Sequence, residues 1–247
     1  MQAIDNTGPH LIVALDVASA TQAQDIVAAV GESAFAYKVG MQLYTAEGPS
    51  VVRDLVAAGR RVFLDLKYHD IPNTVALAVG EAARLGVSML TVHAAGGDKM
   101  LRAATEAARS ARPGAMVLGV TVLTSMTDHD LKKVGVADRV EDQVLRLAEL
   151  ALANGCQGVV AAAREAFRLR AELKGDFAIV TPGVRPAGGA AADQARVVTP
   201  AEAMAAGATH IVVGRPITKA RDPGAAARAI LAEIRSPLSK TCLPAVG

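Results

Sequence analysis

Charged side chains stand close together at the end of one hydrophobic segment, where they could hold or transfer a proton. The segment RVFLDLK spans residues 61–67, and Asp70 follows three residues after its lysine. In a β-strand, alternation would place Asp65 and Lys67 on the same face. Taking an ion out of water costs free energy that pairing does not reliably return. These charges therefore indicate a function, although a solvated salt bridge worth about 0–1 kcal/mol is the alternative.

Two glycine-containing segments in the second half of the chain could bind an anion. TPGVRP covers residues 181–186 and VVGRP covers residues 212–216, so each places a glycine close to an arginine. Glycine amides and helix N-termini bind phosphate, and Arg185 and Arg215 could add bidentate hydrogen bonds. The alternative for either arginine is an exposed loop charge. Residues 187–198 are small and lack periodicity, which is typical of a slack loop or a lid.

The remaining polar residues give weaker signals. His93 could act as a base, but a histidine with a structural role at a strand end is the simpler interpretation. The five histidines have no metal-ligand spacing, so the sequence predicts no zinc site. Thr124 and Ser125 lack evident histidine and carboxylate partners, so it predicts no nucleophilic triad.

Short apolar segments alternate with alanine-rich helical segments, and this order decides where the charged residues lie. The predicted strands are 11–16, 36–40, 61–67, 89–94, 116–123, 158–160, 177–182 and 210–216. The predicted helices are 21–30, 48–58, 73–85, 98–110, 139–154, 164–173, 200–206 and 224–234. Eight strand–helix pairs predict a parallel sheet with right-handed crossovers.

This number of units favours an α/β fold consisting of a single (β/α)8 TIM barrel over residues 1–247, since such barrels typically contain about 250 residues. The alternative is a doubly wound open sheet, which usually has a glycine-rich fingerprint after its first strand, and LIVALDVASAT has none. We expect residues 1–10 and 236–247 to be terminal extensions. A barrel would place its active site at the C-terminal strand ends, where Asp16 and Lys38 also lie.

Composition argues against several classes of function. Hydrophobic residues make up 51% of the 247 but aromatic residues only 3%, which suits a parallel sheet covered by alanine-rich helices. The net charge of +2 comes from 26 basic and 24 acidic residues without a block of like charge, so no nucleic-acid partner is predicted. No apolar run is long enough to span a membrane, and we see no signal-peptide pattern. Two cysteines without metal-type spacing indicate reduced thiols and a cytoplasmic location.

The segment DLKYHDIPNT, residues 65–74, resembles the signature of the orotidine 5′-phosphate decarboxylase family, Asp-x-Lys-x-x-Asp-Ile-Pro-Asn-Thr. Further segments match in the family's order: ALD (14–16), YKVG (37–40), VTVLTSM (120–126), TPGVRP (181–186), DQARVVTP (193–200) and VVGRPI (212–217). Single segments are modestly specific, whereas the ordered set is highly specific and extends from about residue 11 to residue 234.

The resemblance implies an enzyme of de novo pyrimidine biosynthesis that converts orotidine 5′-monophosphate to uridine 5′-monophosphate (UMP) and carbon dioxide. It implies a carboxy-lyase without metal or organic cofactor, and a homodimer whose subunits share each active site. Lys67 would protonate the C6 carbanion, and Asp65, Lys38 and Asp70 would complete the catalytic array, with Asp70 reaching the partner subunit's site. The residues implied to bind substrate are Asp16, Lys38 and the partner's Thr74 at the ribose, Thr124 and Ser125 at the pyrimidine, and Arg185, Gln194, Gly214 and Arg215 at the phosphate.

Two other functions remain open. A sugar-phosphate decarboxylase or aldolase of the same superfamily shares the Asp-x-Lys-x-x-Asp pattern but binds Mg²⁺ with the help of a glutamate on strand two. The corresponding residue here is Lys38, whose ammonium group cannot bind Mg²⁺. The other alternative is a barrel that binds nucleotide phosphates without catalysis, for which the Asp/Lys array would serve no purpose.

Overall fold

Short, almost fully buried strands form the centre of the molecule, as expected for parallel strands covered on both faces. The computed structural model describes residues 8–186 and 198–235. The strands are β1 (His10–Ala14), β2 (Ala36–Gly40), β3 (Val62–Tyr68), β4 (Met89–His93), β5 (Met116–Val120), β6 (Gly158–Val160), β7 (Ala178–Thr181) and β8 (His210–Val213).

Helices follow the strands and cover the outside of the sheet. They are α1 (Ala20–Val30), α2 (Met41–Glu47), α3 (Ser50–Ala57), α4 (Pro72–Arg84), α5 (Gly97–Ala111), α6 (Asp128–Lys133), α7 (Val140–Ala153), α8 (Ala163–Glu172), α9 (Pro200–Ala205), α10 (Arg215–Thr218) and α11 (Pro223–Arg235). Two 3₁₀ turns, Gly31–Ser33 and Ala94–Gly96, complete the regular structure. None of the described helices is long and apolar enough to cross a membrane.

The strands form a closed barrel in the order β1 to β8, and every neighbouring pair is parallel. The barrel closes where β8 pairs with β1, for example Ile211 with Leu11. This topology confirms the predicted (β/α)8 fold, and the alternative prediction of an open, doubly wound sheet is wrong. The predicted domain limits fall partly outside the described residues, which omit 1–7 and 236–247; His10, expected in the N-terminal extension, begins β1.

Two hydrophobic clusters lie on the two sides of the sheet. Phe63 belongs to the cluster inside the barrel, whereas Val62 and Leu64 belong to the larger cluster between the strands and the helices. The predicted alternation along β3 is therefore confirmed. Ala36, Phe63 and Met89 form part of the apolar interior, and the next inward positions toward the C-terminal strand ends carry polar side chains.

The strand ends and the short helices differ from the sequence-based expectations. β5 ends at Val120 and not at residue 123, and β8 ends at Val213 and not at residue 216. Gly214 is the N-cap of α10, and Pro216 lies in its first turn, where a residue without an N–H group is tolerated. The short helices α2, α6 and α10 were not predicted, because segments of four to seven residues show too little periodicity.

Candidate active site

Four ionisable side chains form a continuous row of alternating charge at the C-terminal mouth of the barrel. Lys38 Nζ lies 3.0 Å from Asp16 Oδ1 and 3.6 Å from Asp65 Oδ2. Lys67 Nζ lies 2.8 Å from Asp65 Oδ1. The row, which we call the charged array, therefore brings together four of the residues singled out in the sequence. It begins just after β1 and crosses β2 and β3.

The register of the first three strands explains how the charged array forms. Ala14 pairs with Lys38, and Gly40 pairs with Asp65, so Asp16 lies just beyond the paired end of β1. A Cβ atom at Gly40 would lie 3.0 Å from Lys38 Nζ and 3.2 Å from Asp16 Oδ1. A side chain at this position would therefore crowd the ion pair, a constraint that sequence reasoning did not identify.

The two middle members of the charged array are more buried than the two at its ends. The Asp16 side chain is 55% exposed, whereas Lys38 and Asp65 are 12% and 13% exposed and Lys67 is 25% exposed. A freely solvated rim salt bridge does not describe the Asp65–Lys67 pair at this burial. Because both carboxylates face ammonium groups, each charge is compensated, but removing one member would leave a poorly solvated ion.

The backbone of β3 is irregular where it carries the catalytic candidates. The pairs on either side of the irregularity are Leu64 with Leu90 and Tyr68 with Val92. Residues 65–67 therefore lie opposite the single residue Thr91, which is a β-bulge with two extra residues. Lys67 has φ +53°, and no other non-glycine residue among those described has positive φ. Such a conformation is strained for an L-residue and is found at functional sites.

Thr91 of β4 connects the two parts of this bulge. Its side chain is fully buried, and its hydroxyl donates a hydrogen bond to Asp65 Oδ1 at 3.0 Å. The same hydroxyl accepts a hydrogen bond from the Lys67 backbone N–H at 2.9 Å. Sequence reasoning missed Thr91, because in MLTVHA it reads as an ordinary β-branched strand residue. Its spacing of two from Met89, an interior residue, was the available signal.

His93 ends β4 beside the charged array. Its ring centroid lies 5.3 Å from that of His69. Burial lowers the pKa of His93 from its usual 6.5, and the nearby His69 and Lys67 lower it further, so the neutral imidazole is favoured. Within residues 8–186 and 198–235, there is no group of three or more His, Cys, Asp or Glu side chains placed to hold a metal ion.

Asp70 and Thr74 do not join the charged array of their own chain. Both residues are exposed, and Asp70 Oδ1 accepts a hydrogen bond from the Ile71 N–H at 2.6 Å. Asp70 forms no ion pair with any other described residue. Their predicted positions in a partner subunit's site stay a prediction.

The residues expected at the phosphate and the pyrimidine are placed only in part. A Cβ atom at Gly214 would lie 3.7 Å from Asp16 Oδ2, so this glycine borders the charged array, and the neighbouring Arg215 is exposed. The Arg185 N–H donates to the Val198 carbonyl at 3.1 Å. Thr124 and Ser125 are exposed in the turn that follows β5. The proposed Gln194 contact and the expected lid lie mainly outside the described residues.

Comparison with known proteins supports a family assignment over nearly the whole chain. Residues 9–230 match the model described as the orotidine 5′-phosphate decarboxylase/HUMPS family. Orotidine 5′-phosphate decarboxylase of Moorella thermoacetica is 52% identical over 230 residues, covering 91% of both chains. The enzyme of that name from Hydrogenovibrio crunogenus is 49% identical over 226 residues, covering 92% of this chain and 96% of its own.

Solved structures agree with this assignment. The crystal structure of orotidine 5′-phosphate decarboxylase from Lactobacillus acidophilus has a TM-score of 0.83 and 38% identity, covering 92% of this chain and 100% of its own. The corresponding structure from Pyrococcus horikoshii has a TM-score of 0.76 and 27% identity, covering 92% and 99%.

Proposed function

Because the chain belongs to the orotidine 5′-phosphate decarboxylase/HUMPS family, we propose that it converts orotidine 5′-monophosphate to UMP and carbon dioxide in pyrimidine biosynthesis. The observation that carries this proposal is the charged array, which ends in an ammonium group at the barrel mouth. Active sites of (β/α)8 enzymes lie at that end of the barrel.

The reaction needs a fixed cation next to the pyrimidine carbon C6. When the bond to the carboxylate breaks, the electron pair stays on C6, and no adjacent carbonyl delocalises it. Lys67 suits two tasks, since its ammonium group can stabilise the developing charge and then transfer a proton to C6. The resulting neutral amine regains its proton from solvent after product leaves.

The other members of the charged array would hold Lys67 in place. Asp65 lies 2.8 Å from Lys67 Nζ, and Lys38 lies 3.6 Å from the second oxygen of Asp65, so the ammonium group has a defined position. A preorganised charge is more effective than one that must reorient during the reaction. Repulsion between Asp65 and the substrate carboxylate would be a secondary contribution.

Catalysis without a metal is the form of the reaction that these residues favour. Lys38 Nζ contacts both Asp16 and Asp65, where a divalent ion shared by the two carboxylates would have to bind. Two lysines and two aspartates also balance in charge, so the carboxylates need no further cation. This argues against the related Mg²⁺-dependent sugar-phosphate enzymes, which use carboxylate ligands.

Substrate contacts would surround the charged array. Asp16 and Lys38 would hold the ribose, Thr124 and Ser125 would contact the pyrimidine, and Arg185, Gln194, Gly214 and Arg215 would bind the phosphate. The exposure of Asp16 and Arg215 leaves both side chains accessible to a ligand. Because the phosphate is remote from C6, its binding energy can position the reacting ring.

We propose in addition a homodimer in which Asp70 and Thr74 complete the partner subunit's site. Both residues are exposed next to large apolar side chains that are also exposed, Ile71 at 66% and Leu77 at 65%. An apolar surface at the start of α4 is a suitable contact for a second subunit. A cytoplasmic location stays a prediction from the sequence.

The direct test is to add purified protein to orotidine 5′-monophosphate in EDTA and to follow the pyrimidine absorbance, with product identified by chromatography. We expect UMP to form at a rate that EDTA does not change. Turnover that disappears in EDTA and returns with Mg²⁺ would support the metal-dependent alternative. Tight UMP binding without any turnover would support a binding protein.

A further inference from the structure

We propose that Thr91 is a positioning residue of this active site, which holds the Asp65 carboxylate and the Lys67 backbone in the arrangement that the proposed decarboxylation needs. The inference rests on the proposed function for its catalytic consequence, but its structural part stands on hydrogen bonds within the chain.

The two hydrogen bonds of the Thr91 hydroxyl act on different parts of β3. The proton of the hydroxyl goes to Asp65 Oδ1, which also accepts from Lys67 Nζ at 2.8 Å. The lone pair of the hydroxyl accepts the Lys67 N–H. One oxygen atom therefore links the base of the lysine side chain to the carboxylate that contacts its tip.

The orientation of the Asp65 carboxylate depends on this contact. Oδ1 receives two donors, from Thr91 and Lys67, while Oδ2 faces Lys38 at 3.6 Å. Without the hydroxyl, the contacts that restrain the Asp65 carboxylate within the described part of the chain come from two ammonium groups, which are carried by long flexible side chains. A fully buried threonine, whose branched side chain has little freedom about χ1, is a stiffer support.

The backbone of Lys67 depends on Thr91 as well. In a regular parallel ladder, a backbone carbonyl of the neighbouring strand accepts such an N–H. At the bulge a side-chain oxygen accepts it, and Lys67 keeps φ +53°. Loss of the hydroxyl would leave a poorly solvated N–H without this acceptor, so the backbone would relax and move the ammonium group. Displacements of about 1 Å can reduce catalysis by about 10²-fold.

If the Thr91 hydroxyl had a purely structural role, the expected result would be different. Its removal would lower stability while leaving turnover per folded molecule unchanged. A suitable control is Thr209, which precedes β8 at the opposite end of the barrel. Its hydroxyl accepts a hydrogen bond from the Ile179 N–H at 3.0 Å and donates one to the Ile179 carbonyl at 3.2 Å. It thus links two strands in a similar way, away from the charged array.

The experiment compares Thr91→Val, which keeps the shape but lacks the hydroxyl, with Thr91→Ser and Thr209→Val. For each protein, kcat and KM for orotidine 5′-monophosphate, the inhibition constant of UMP, and the melting temperature are measured. We expect Thr91→Val to lower kcat by about 10²-fold while the UMP constant changes little. Thr91→Ser should retain most of the wild-type kcat, and Thr209→Val should lower stability without lowering kcat.

Amide hydrogen exchange over residues 62–68, read by mass spectrometry, tests the structural part separately. Faster exchange in Thr91→Val than in Thr91→Ser supports the bond to the Lys67 N–H. If the wild type has no decarboxylase activity, the proposed function fails, and this exchange comparison still decides the structural part. If Thr91→Val does not fold, Thr91→Ala makes the same comparison. Unchanged kcat in a folded variant without the hydroxyl, or equal losses of kcat in the valine and serine variants, would overturn the inference.

Discussion

Replacing Lys67 by alanine and by glycine separates the chemistry of its side chain from the strain in its backbone. Both variants lack the ammonium group, so both should lose decarboxylation while retaining UMP binding. Their stabilities should differ, because Lys67 has φ +53° and only glycine adopts that conformation without a steric penalty.

The expected difference in stability between Lys67→Gly and Lys67→Ala follows from two opposing effects. A side chain at left-handed φ costs about 1–2 kcal/mol. Glycine in a strand is otherwise less favourable than alanine by about 0.5–1 kcal/mol, because it loses more backbone entropy on folding. The balance favours Lys67→Gly over Lys67→Ala by about 0.5–1 kcal/mol. For a domain of this size each kcal/mol shifts the melting temperature by about 2–4 °C, so Lys67→Gly should melt about 1–4 °C higher.

The matched control is Lys38, a lysine of the same charged array whose backbone has an ordinary strand conformation. At position 38 glycine should be the less stable replacement, because no left-handed backbone conformation favours it, so Lys38→Ala should be more stable than Lys38→Gly. Thermal melts at equal protein concentration measure both pairs, and absorbance assays measure activity. If alanine is the more stable replacement at both positions, the bulge is not strained as described. If either Lys67 variant decarboxylates at the wild-type rate, Lys67 is not the proton donor.

Three further predictions concern substrate capture, subunit sharing and pH. Arg215→Ala should reduce kcat/KM by about 10–100-fold, the equivalent of one charged hydrogen bond of about 1.5–3 kcal/mol. Replacing the exposed Arg53 by alanine should leave kcat/KM unchanged. Equal kcat/KM values for the two variants would refute the phosphate contact of Arg215. Mixing Lys67→Ala with Asp70→Ala subunits should produce activity that neither variant has alone, and its absence would contradict shared sites. Since burial lowers the pKa of His93, the unfolded chain binds its proton more readily. The free energy of unfolding should therefore fall as pH decreases below 6.5, and it should fall less steeply in His93→Gln. Parallel pH profiles of stability for the wild type and His93→Gln would refute this role of His93.

The barrel was predictable because its signal is repeated along the chain. The sequence alternates eight predicted apolar strands with eight predicted alanine-rich helices, and parallel strands connected in this way can close into a barrel, as observed. The ends of strands were less predictable, since Gly214 and Pro216 convert the expected end of β8 into a short helix. A continuous apolar run does not reveal where pairing stops.

The charged array was predictable for a reason specific to strands. Alternation places Asp65 and Lys67 on one face of β3, and the barrel fold places Lys38 at the same end of the sheet, so the three residues could be brought together without a structure. The bulge could not be predicted, because it adds two residues and therefore leaves the alternation unchanged. Thr91 was missed for a different reason, since its hydrogen-bond partners depend on the register between β3 and β4 and not on its own sequence neighbours.

Three unfavourable features meet at Lys67, and together they argue that function selected this arrangement. Its side chain is three-quarters buried, its backbone has a left-handed conformation, and its backbone N–H donates to a side-chain oxygen rather than to a backbone carbonyl. A barrel selected for stability alone would place an aliphatic residue in a regular strand here, as β3 does at Phe63. Because the costs coincide at the residue best placed to donate a proton, we interpret them as the requirement of holding one cation rigidly at the barrel mouth.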